Sequence, residues 1–249
     1  MSFLILVRHG ESRWNMENKF TGWTDVPLSE RGIYEALVTA ENLSGLRLDL
    51  AFTSKLERAQ QTLLEILAKQ ERTGIFLHTT GKRKLWSKHK TFASDEIPIY
   101  SDEALNERHY GALQGLDKDD ARRRWGEEKV ALWRRSWDVR PPGGESLKDT
   151  YARVLPYFRA KILSQLRAGK NVLVVASGNS LRAIVKYLDH IPDEKIPLLE
   201  LPTGKPTIYE WRGKKLVHED DHLFKRPLHW HAPQRRANAA EKRSRKFTA

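Results

Sequence analysis

Cysteine is absent from the 249 residues of this chain. Its absence excludes disulfide bonds, thiolate metal sites and a cysteine nucleophile. Long apolar runs are missing as well. The first run, Phe3 to Val7, is too short for the core of a signal peptide, and no later run approaches the roughly 18 residues that a membrane span needs. The sequence therefore predicts a soluble protein and is compatible with a cytoplasmic location.

Basic charge is present but confined to two segments. The formal net charge is +12, residues 81–94 hold five Lys and Arg without an acid, and residues 222–249 hold eight with one Glu. The rest of the chain is therefore neutral, which argues against a basic nucleic-acid-binding domain. For residues 232–249 we predict a basic, flexible tail, with attachment to a polyanion as the alternative.

Strand-length apolar runs alternate with helical periods along the chain. This pattern predicts an α/β fold, a three-layer sandwich with a mostly parallel central sheet and helices on both faces. The length suits one sizeable core, so we predict a single domain over residues 1–231. The predicted strands are residues 3–7, 48–54, 97–100 and 172–176, followed by a closing hairpin that turns at residues 212–214.

Helix signals separate these strands. Ser29 is predicted as an N-cap, and Ser54 with Glu57 has capping-box spacing. Asp117 is predicted to cap a helix that runs to about Trp133. The predicted core-facing residues are Ile33, Ala36, Leu37 and Ala40 in the first helix, Ala59, Leu63, Ile66 and Leu67 in the second, and Leu155, Phe158, Ile162 and Leu166 in a long helix that Pro156 bends and Gly169 ends.

Polar residues follow two of the predicted strands directly. Arg8 and His9 end the first strand, and Ser177 to Asn179 lie between the buried strand 172–176 and a helix predicted from Ser180. In open α/β sheets the ligand lies beyond the carboxyl ends of the strands. A lone histidine at such a position is more often structural than nucleophilic. The residues around His9 therefore decide which role it has.

Cations are predicted to surround His9: Arg8, Arg58, Lys118, Arg134 and Arg135. They would repel an imidazolium unless an anion lay among them, and the planar guanidinium suits phosphate oxygens. Glycines 10, 22 and 178 would allow backbone N–H groups to approach that anion. The pattern indicates phosphoryl transfer to an imidazole nitrogen, with Glu107 as the proton carrier.

The chain resembles the cofactor-dependent phosphoglycerate mutases of the histidine phosphatase superfamily. The resemblance rests on the segments LVRHGES, NKFTGWTDVPLSERG, LPTGKPTIYE and the long run from ALNERHYG through WRRS to PPGGES. It covers about residues 2–211, apart from a basic insertion at about 75–96. The RHG motif alone would be weak evidence for this family, but its combination with ERHYG and WRRS is specific to it.

The resemblance implies a role for each matching residue. His9 would accept the phosphoryl group, Glu107 would be the general acid and base, and Arg8, Asn15 and Arg58 would bind the transferred group. Contacts to the rest of the substrate would come from Thr21, Gly22, Tyr110, Lys118, Arg134, Arg135, Gly178 and Asn179. 2,3-Bisphosphoglycerate would be the primer, with no metal. Because family members occur as monomers, dimers and tetramers, a homo-oligomer is one expectation; membrane and nucleic-acid partners are not expected.

Ser177 departs from the family, which has a second catalytic histidine at this position. A serine hydroxyl is shorter and always neutral, and losing one preorganised donor slows such reactions on the order of 10²- to 10³-fold. An attenuated mutase is therefore expected. Three explanations stay open: an engineered substitution, a natural enzyme of low activity, and a relative kept for binding.

Two other functions compete with the mutase. A phosphomonoester hydrolase of the same superfamily is disfavoured by Lys118 and WRRS, which look suited to a carboxylate and a second phosphate. A catalytically weak polyanion-binding relative would use the basic segments, but has little need of Glu107. Lys225 to His231 would form a lid if this segment behaves as in the family, with an ordinary disordered end as the alternative. Trp86 would pack the insertion down, with base stacking as the alternative.

Overall fold

The computed structural model describes residues 2–78, 81–85 and 93–219. Seven strands form one sheet in the order β3-β4-β2-β5-β1-β6-β7. The strands are β1 (Phe3–Arg8), β2 (Leu50–Thr53), β3 (Thr73–Leu77), β4 (Glu96–Ser101), β5 (Val172–Ala176), β6 (Pro206–Arg212) and β7 (Lys215–Glu219). Strands β1 to β5 pair parallel to one another, whereas β6 pairs antiparallel with β1, and β7 pairs antiparallel with β6. The predicted mostly parallel sheet is confirmed.

Helices cover both faces of this sheet. They are α1 (Arg13–Met16), α2 (Glu30–Leu43), α3 (Glu57–Leu67), α4 (Lys118–Trp125), α5 (Glu127–Arg135), α6 (Leu147–Tyr157), α7 (Leu163–Arg167) and α8 (Gly178–Leu188). Side chains of α2 and α3 pack with Ile5 and Val7 on one face, whereas α6 and α8 pack with Leu4 and Leu6 on the other. The alternation along β1 follows from the two-residue period of a strand. The three-layer fold is therefore confirmed.

Central strand β5 is buried along its whole length. It pairs with β1 on one side and β2 on the other, and Arg8 lies opposite Ala176. The equal register brings the ends of β1 and β5 to the same height. The residues that follow these two strands are therefore neighbours, as the sequence predicts.

Two helix N-termini and one helix face differ from the sequence prediction. Helix α3 is capped by Leu56 without a side-chain hydrogen bond, because Ser54 lies two residues too early and instead accepts from Leu56 N. Helix α8 begins at Gly178, not at Ser180. In α2 the predicted core residues Ile33 and Leu37 are exposed. The buried face of α2 is instead made of five small or polar residues and one leucine, namely Gly32, Glu35, Ala36, Thr39, Ala40 and Leu43.

The helix predicted from Asp117 to Trp133 is two helices. Gly126 has a φ of +86° and ends α4 while it starts α5, since glycine adopts this conformation without a side-chain clash. After Pro156, the long helix contains a π-helical turn over Phe158–Ile162. Proline removes a backbone donor and disturbs the regular hydrogen-bond ladder, and the π-helical turn begins two residues after it.

Strand β3 at the sheet edge was not predicted, because its residues TGIFL fall partly within the proposed basic insertion. A 3₁₀ turn follows at Lys82–Leu85. Trp86, the Lys225–His231 lid and the 232–249 tail lie outside the described residues. Within the described part of the chain, no helix is long and apolar enough to cross a bilayer.

Candidate active site

A cavity lies beyond the carboxyl ends of β1 and β5. With the exceptions of Ser177 and Gly10, every residue predicted for the site lines this cavity. The predicted residues that line it are Arg8, His9, Asn15, Thr21, Gly22, Arg58, Glu107, Tyr110, Lys118, Arg134, Arg135, Gly178 and Asn179; Lys19, Phe20, Arg182, Leu199, Glu200 and Leu201 complete the wall. Seven cationic side chains therefore face two carboxylates, and the cavity is suited to an anion.

His9 is held in one tautomer. Its Nδ1 lies 2.7 Å from the carbonyl oxygen of Gly10, which can only accept, so Nδ1 carries the proton. Arg58 Nε–H donates to His9 Nε2 at 3.1 Å, so Nε2 presents its lone pair. Burial first, then the charges of Arg58 and Arg8, hold the His9 pKa well below its usual 6.5. The ring is therefore a neutral imidazole with Nε2 as its nucleophilic atom.

Arg58 itself is fixed by the backbone. Its Nη1 and Nη2 groups donate to the carbonyls of Thr24 and Gly22 at 3.0 and 2.7 Å. The side chain is 1% exposed, and burial is the largest cause that lowers its pKa to about 10. Because its two terminal nitrogens are engaged by carbonyls, the guanidinium keeps Nε directed at His9. Arg58 therefore orients the imidazole in addition to supplying charge.

Arg8 keeps a donor without a partner. Its Nη1 donates to Leu201 O at 2.9 Å, whereas Nε is buried and unpaired among the described residues. A Cβ added at Gly178 would lie 3.3 Å from this Nε. Glycine therefore leaves the guanidinium open on that side. The hydroxyl of Thr21 is buried and unpaired too, and unpaired buried donors of this kind favour a bound anion.

Glu107 is supported from its backbone and its side chain. The indole of Trp23 donates to the Glu107 carbonyl, and so does Arg153 Nη2 at 3.2 Å. The Glu107 Oε1 atom accepts Arg108 N–H at 2.7 Å and Asn179 Nδ2–H at 2.8 Å. No hydrogen bond from another described residue reaches Oε2. That oxygen is therefore available to exchange a proton with a ligand in the cavity.

Two further cations of the wall, Lys118 and Arg134, come from helices α4 and α5. Phe20, Leu113, Ala121, Val130 and Trp133 form a small apolar cluster. The cluster supports α4 and α5, and these helices bring Lys118 and Arg134 to the cavity. Burial, then Arg134 and Arg8, lower the Lys118 pKa to about 8, and burial also lowers the Arg134 pKa. An anion would relieve this mutual repulsion.

Ser177 behaves differently from the other predicted site residues. It is the N-cap of α8, with φ −87° and ψ 161°, but its side chain makes no capping hydrogen bond. The residue is 0% exposed, and no described residue is a partner for its hydroxyl. Ser177 therefore lies behind the cavity wall.

The prediction for the glycine backbone is wrong at one of three positions. Gly10 N–H donates to Thr62 Oγ1 at 3.0 Å, and a Cβ there would lie 2.3 Å from Gly32 O. Gly10 therefore permits close packing of two backbone segments. Gly22 and Gly178 do line the cavity.

Sequence reasoning missed six residues of the wall. Lys19 and Phe20 directly precede Thr21, and Leu199 to Leu201 lead into the LPTG motif, so adjacency to the motifs was an available signal. What local spacing does not indicate is the partner of Glu200, which pairs with Arg135 Nη1 at 2.6 Å across the fold. Among the described residues, no group of three or more acidic or histidine side chains could hold a metal ion.

Comparisons with known proteins agree with this geometry. The family model described as the histidine phosphatase superfamily (branch 1) matches residues 4–79 and 88–220. A relative from Methanosarcina acetivorans is 47% identical over 237 residues, covering 88% of this chain and 96% of its own. One from Gloeothece citriformis is 48% identical over 219 residues, covering 84% and 94%. Both are named 2,3-bisphosphoglycerate-dependent phosphoglycerate mutase.

Solved structures share the fold. Bacillus stearothermophilus YhfR superposes with a TM-score of 0.69 at 25% identity, covering 89% of this chain and 96% of that one. A mycobacterial glucosyl-3-phosphoglycerate phosphatase superposes with a TM-score of 0.68 at 24% identity, covering 88% and 98%. Given the length and identity of the sequence matches, this chain belongs to the histidine phosphatase superfamily, branch 1.

Proposed function

We propose that this chain is a 2,3-bisphosphoglycerate-dependent phosphoglycerate mutase, which interconverts 3-phosphoglycerate and 2-phosphoglycerate in glycolysis and gluconeogenesis. The observation that carries the proposal is the neutral, buried His9 with its Nε2 lone pair in a cavity lined by seven cationic side chains. The names of relatives at 47–48% identity support it. 2,3-Bisphosphoglycerate would supply the phosphoryl group that primes His9.

The residues of the cavity suit such a bisphosphate. Arg8 Nε and Thr21 Oγ1, both buried and unpaired, would donate to the oxygens of the phosphoryl group near His9. Asn15 and the Gly178 amide lie on the same wall. Lys118, Arg134 and Arg135 would bind the carboxylate and the second phosphate, since two anionic groups require two sets of cations.

The phosphoryl step follows from the orientation of His9. Nε2 attacks the phosphorus atom, the bond from phosphorus to the substrate oxygen breaks, and Glu107 Oε2 delivers a proton to that oxygen. Arg58 Nε–H then donates to a phosphoryl oxygen instead of to Nε2. In the reverse step the substrate hydroxyl attacks phosphorus, its proton passes to Oε2, and the electron pair of the nitrogen–phosphorus bond returns to Nε2.

Ser177 is proposed to attenuate this reaction. Its hydroxyl is 0% exposed and does not line the cavity, so it cannot donate to a phosphoryl group there. One donor that the family places beside His9 is therefore missing. A loss on the order of 10²- to 10³-fold in rate is expected.

The domain division is part of the same proposal. We propose a single catalytic domain over residues 1–231 with a basic insertion at about 75–96, a separate tail over 232–249, and a cytoplasmic location. Removal of residues 232–249 should leave turnover unchanged. A loss of turnover in that shortened chain would contradict the division.

The test combines turnover and labelling. The chain is mixed with labelled 2,3-bisphosphoglycerate, quenched in alkali and digested, and the label is mapped. Acid-labile label on His9, together with isomerisation that depends on the bisphosphate, is the expected result. Primer-independent release of inorganic phosphate faster than isomerisation would instead identify a phosphomonoester hydrolase. The absence of both activities would contradict an enzyme and favour a polyanion-binding relative.

A further inference from the structure

Arg182 lies one turn after Asn179 in α8 and reaches the cavity wall. The residue is 5% exposed. Its Nη1 donates to Asn179 Oδ1 at 2.9 Å, and its Nη2 donates to the carbonyl of Ile196. Burial is the largest cause that lowers the Arg182 pKa to about 10, followed by the charges of Arg108 and Arg135. Burial and the neighbouring cations both disfavour a charged guanidinium at this position, which suggests that Arg182 has a specific role there.

The hydrogen bond to Asn179 settles which way its amide faces. A guanidinium only donates, so the Asn179 oxygen must point at Arg182. The NH₂ group then points the other way, where it donates to Glu107 Oε1 at 2.8 Å and lies 3.4 Å from the Tyr110 hydroxyl. A flipped amide would place two donors together at Arg182 and two acceptors together at Glu107. Arg182 therefore excludes the flipped orientation.

This orientation has a consequence for the proton on Glu107. Oε1 already accepts two N–H groups, from Asn179 and from the backbone of Arg108. An oxygen with both lone pairs engaged is a poor site for a proton. Oε2 is therefore the oxygen that can exchange a proton with a ligand. The hydrogen bonds from Arg182 to Asn179 and from Asn179 to Glu107 fix the orientation of the carboxyl group and leave Oε2 facing the ligand.

We propose that Arg182 is a positioning residue that acts through Asn179 to present Glu107 Oε2 to the substrate oxygen. This inference rests on the proposed function, because it takes Glu107 as the proton carrier. The Nη1 and Nη2 groups of Arg182 are engaged by protein oxygens, whereas its Nε is buried without a partner among the described residues, so experiment has to separate positioning of Asn179 from anion binding. Loss of Arg182 should slow proton delivery far more than it weakens binding.

Two phosphoryl donors separate positioning from binding. An alkyl phosphate such as 2,3-bisphosphoglycerate must receive a proton on its departing oxygen, whereas p-nitrophenyl phosphate leaves as a stable phenolate and needs none. The rate of His9 labelling is measured at saturating donor in single-turnover experiments. Arg182→Met should slow labelling by the bisphosphate about 30- to 100-fold, and labelling by the aryl phosphate less than about three-fold.

Matched variants complete the experiment. Arg182→Lys keeps a donor for Asn179 Oδ1 and should recover labelling by the bisphosphate to within about five-fold of the parent chain. Glu107→Gln should show the same preference between donors as Arg182→Met. The double variant should be no slower than Glu107→Gln alone, because residues that act through one another are not additive.

The overturning results are equally definite. Equal slowing with both donors would mean that Arg182 binds the anion or holds the fold, and additive losses in the double variant would mean that it acts independently of Glu107. If Arg182→Met does not fold, Asn179→Leu must show the same donor preference, or the inference fails. A parent chain that labels His9 without isomerising phosphoglycerate overturns only the proposed function, and one that labels with neither donor overturns both.

Discussion

The ends of β1 and β5 lie side by side in register, yet they differ in almost every contact. His9, after β1, has both ring nitrogens engaged, by Gly10 O and by Arg58. Ser177, after β5, is buried too, but its hydroxyl has no partner among the described residues and does not line the cavity. The first position is built for a particular side chain. The second contains a residue for which its surroundings provide no partner.

The contrast teaches that neighbouring strand ends are not equivalent sites. The pairing register of β1 and β5 fixes the backbone positions of the residues that follow them, and His9 N–H donates to Ala176 O at 3.0 Å. Side-chain length decides what that residue can reach from there. A histidine at the β1 end reaches the cavity, whereas a serine at the β5 end does not.

The largest effect on turnover is expected from replacing His9, the residue that follows β1. His9→Gln should reduce turnover by about 10⁴-fold or more, because no other group replaces the nucleophile. Binding of 3-phosphoglycerate by the same variant, followed calorimetrically, should persist since the cations remain. Turnover within ten-fold of the parent would show that His9 is not the phosphoryl acceptor.

The second-largest effect on turnover is expected from placing a histidine after β5 as well as after β1. Ser177→His should raise kcat on the order of 10²- to 10³-fold, because a longer donor would reach the phosphoryl group from the β5 end. Ser177→Ala is the matched control and should leave kcat within about two-fold, since the hydroxyl does not line the cavity. If Ser177→Ala slows turnover as strongly as a catalytic substitution, the serine has a role of its own.

The charge gathered near the β1 end predicts a pH dependence. The Lys118 pKa is lowered to about 8, chiefly by burial, so the amine loses its proton as pH rises through that value. A bound anion favours the protonated amine and raises its pKa, which makes binding proton-linked. The affinity for 3-phosphoglycerate should fall about ten-fold between pH 7.5 and 9.5.

Lys118→Arg is the control for this pH dependence, because arginine keeps its charge over the whole range. Calorimetric titrations at several pH values measure both chains. An affinity that falls equally in the two chains would assign the pH dependence to another group.

The smallest effect is expected on the free energy of unfolding, when the hydroxyl of Ser177 is removed. Ser177→Ala removes a buried hydroxyl without a partner and should raise the free energy of unfolding by about 1 kcal/mol. Ser180, equally buried on the same helix, donates to the carbonyl of Asn106. Ser180→Ala should therefore lower the free energy of unfolding by about 1 kcal/mol. Denaturant titrations that give both variants the same sign would contradict this difference.

The strands and the site motifs could be predicted from short stretches of the sequence. Continuous apolar runs such as 172–176 are typical of central strands, and a polar residue directly after such a run indicates a site. The sequence therefore predicted the layers of the fold, the edge of the sheet that bears the cavity, and most of its wall. Local patterns suffice for these features because strand burial and strand direction are properties of short segments.

Contacts between distant segments required the tertiary structure. It alone decided that Arg58 orients His9, that Asn179 donates to Glu107, and that Glu200 pairs with Arg135, since the partners in each contact lie far apart in the sequence. The sequence by itself determined that Ser177 stands at the end of β5. Only the fold decided that its hydroxyl lies buried and unpaired, because side-chain reach and burial depend on what the rest of the chain packs around that point.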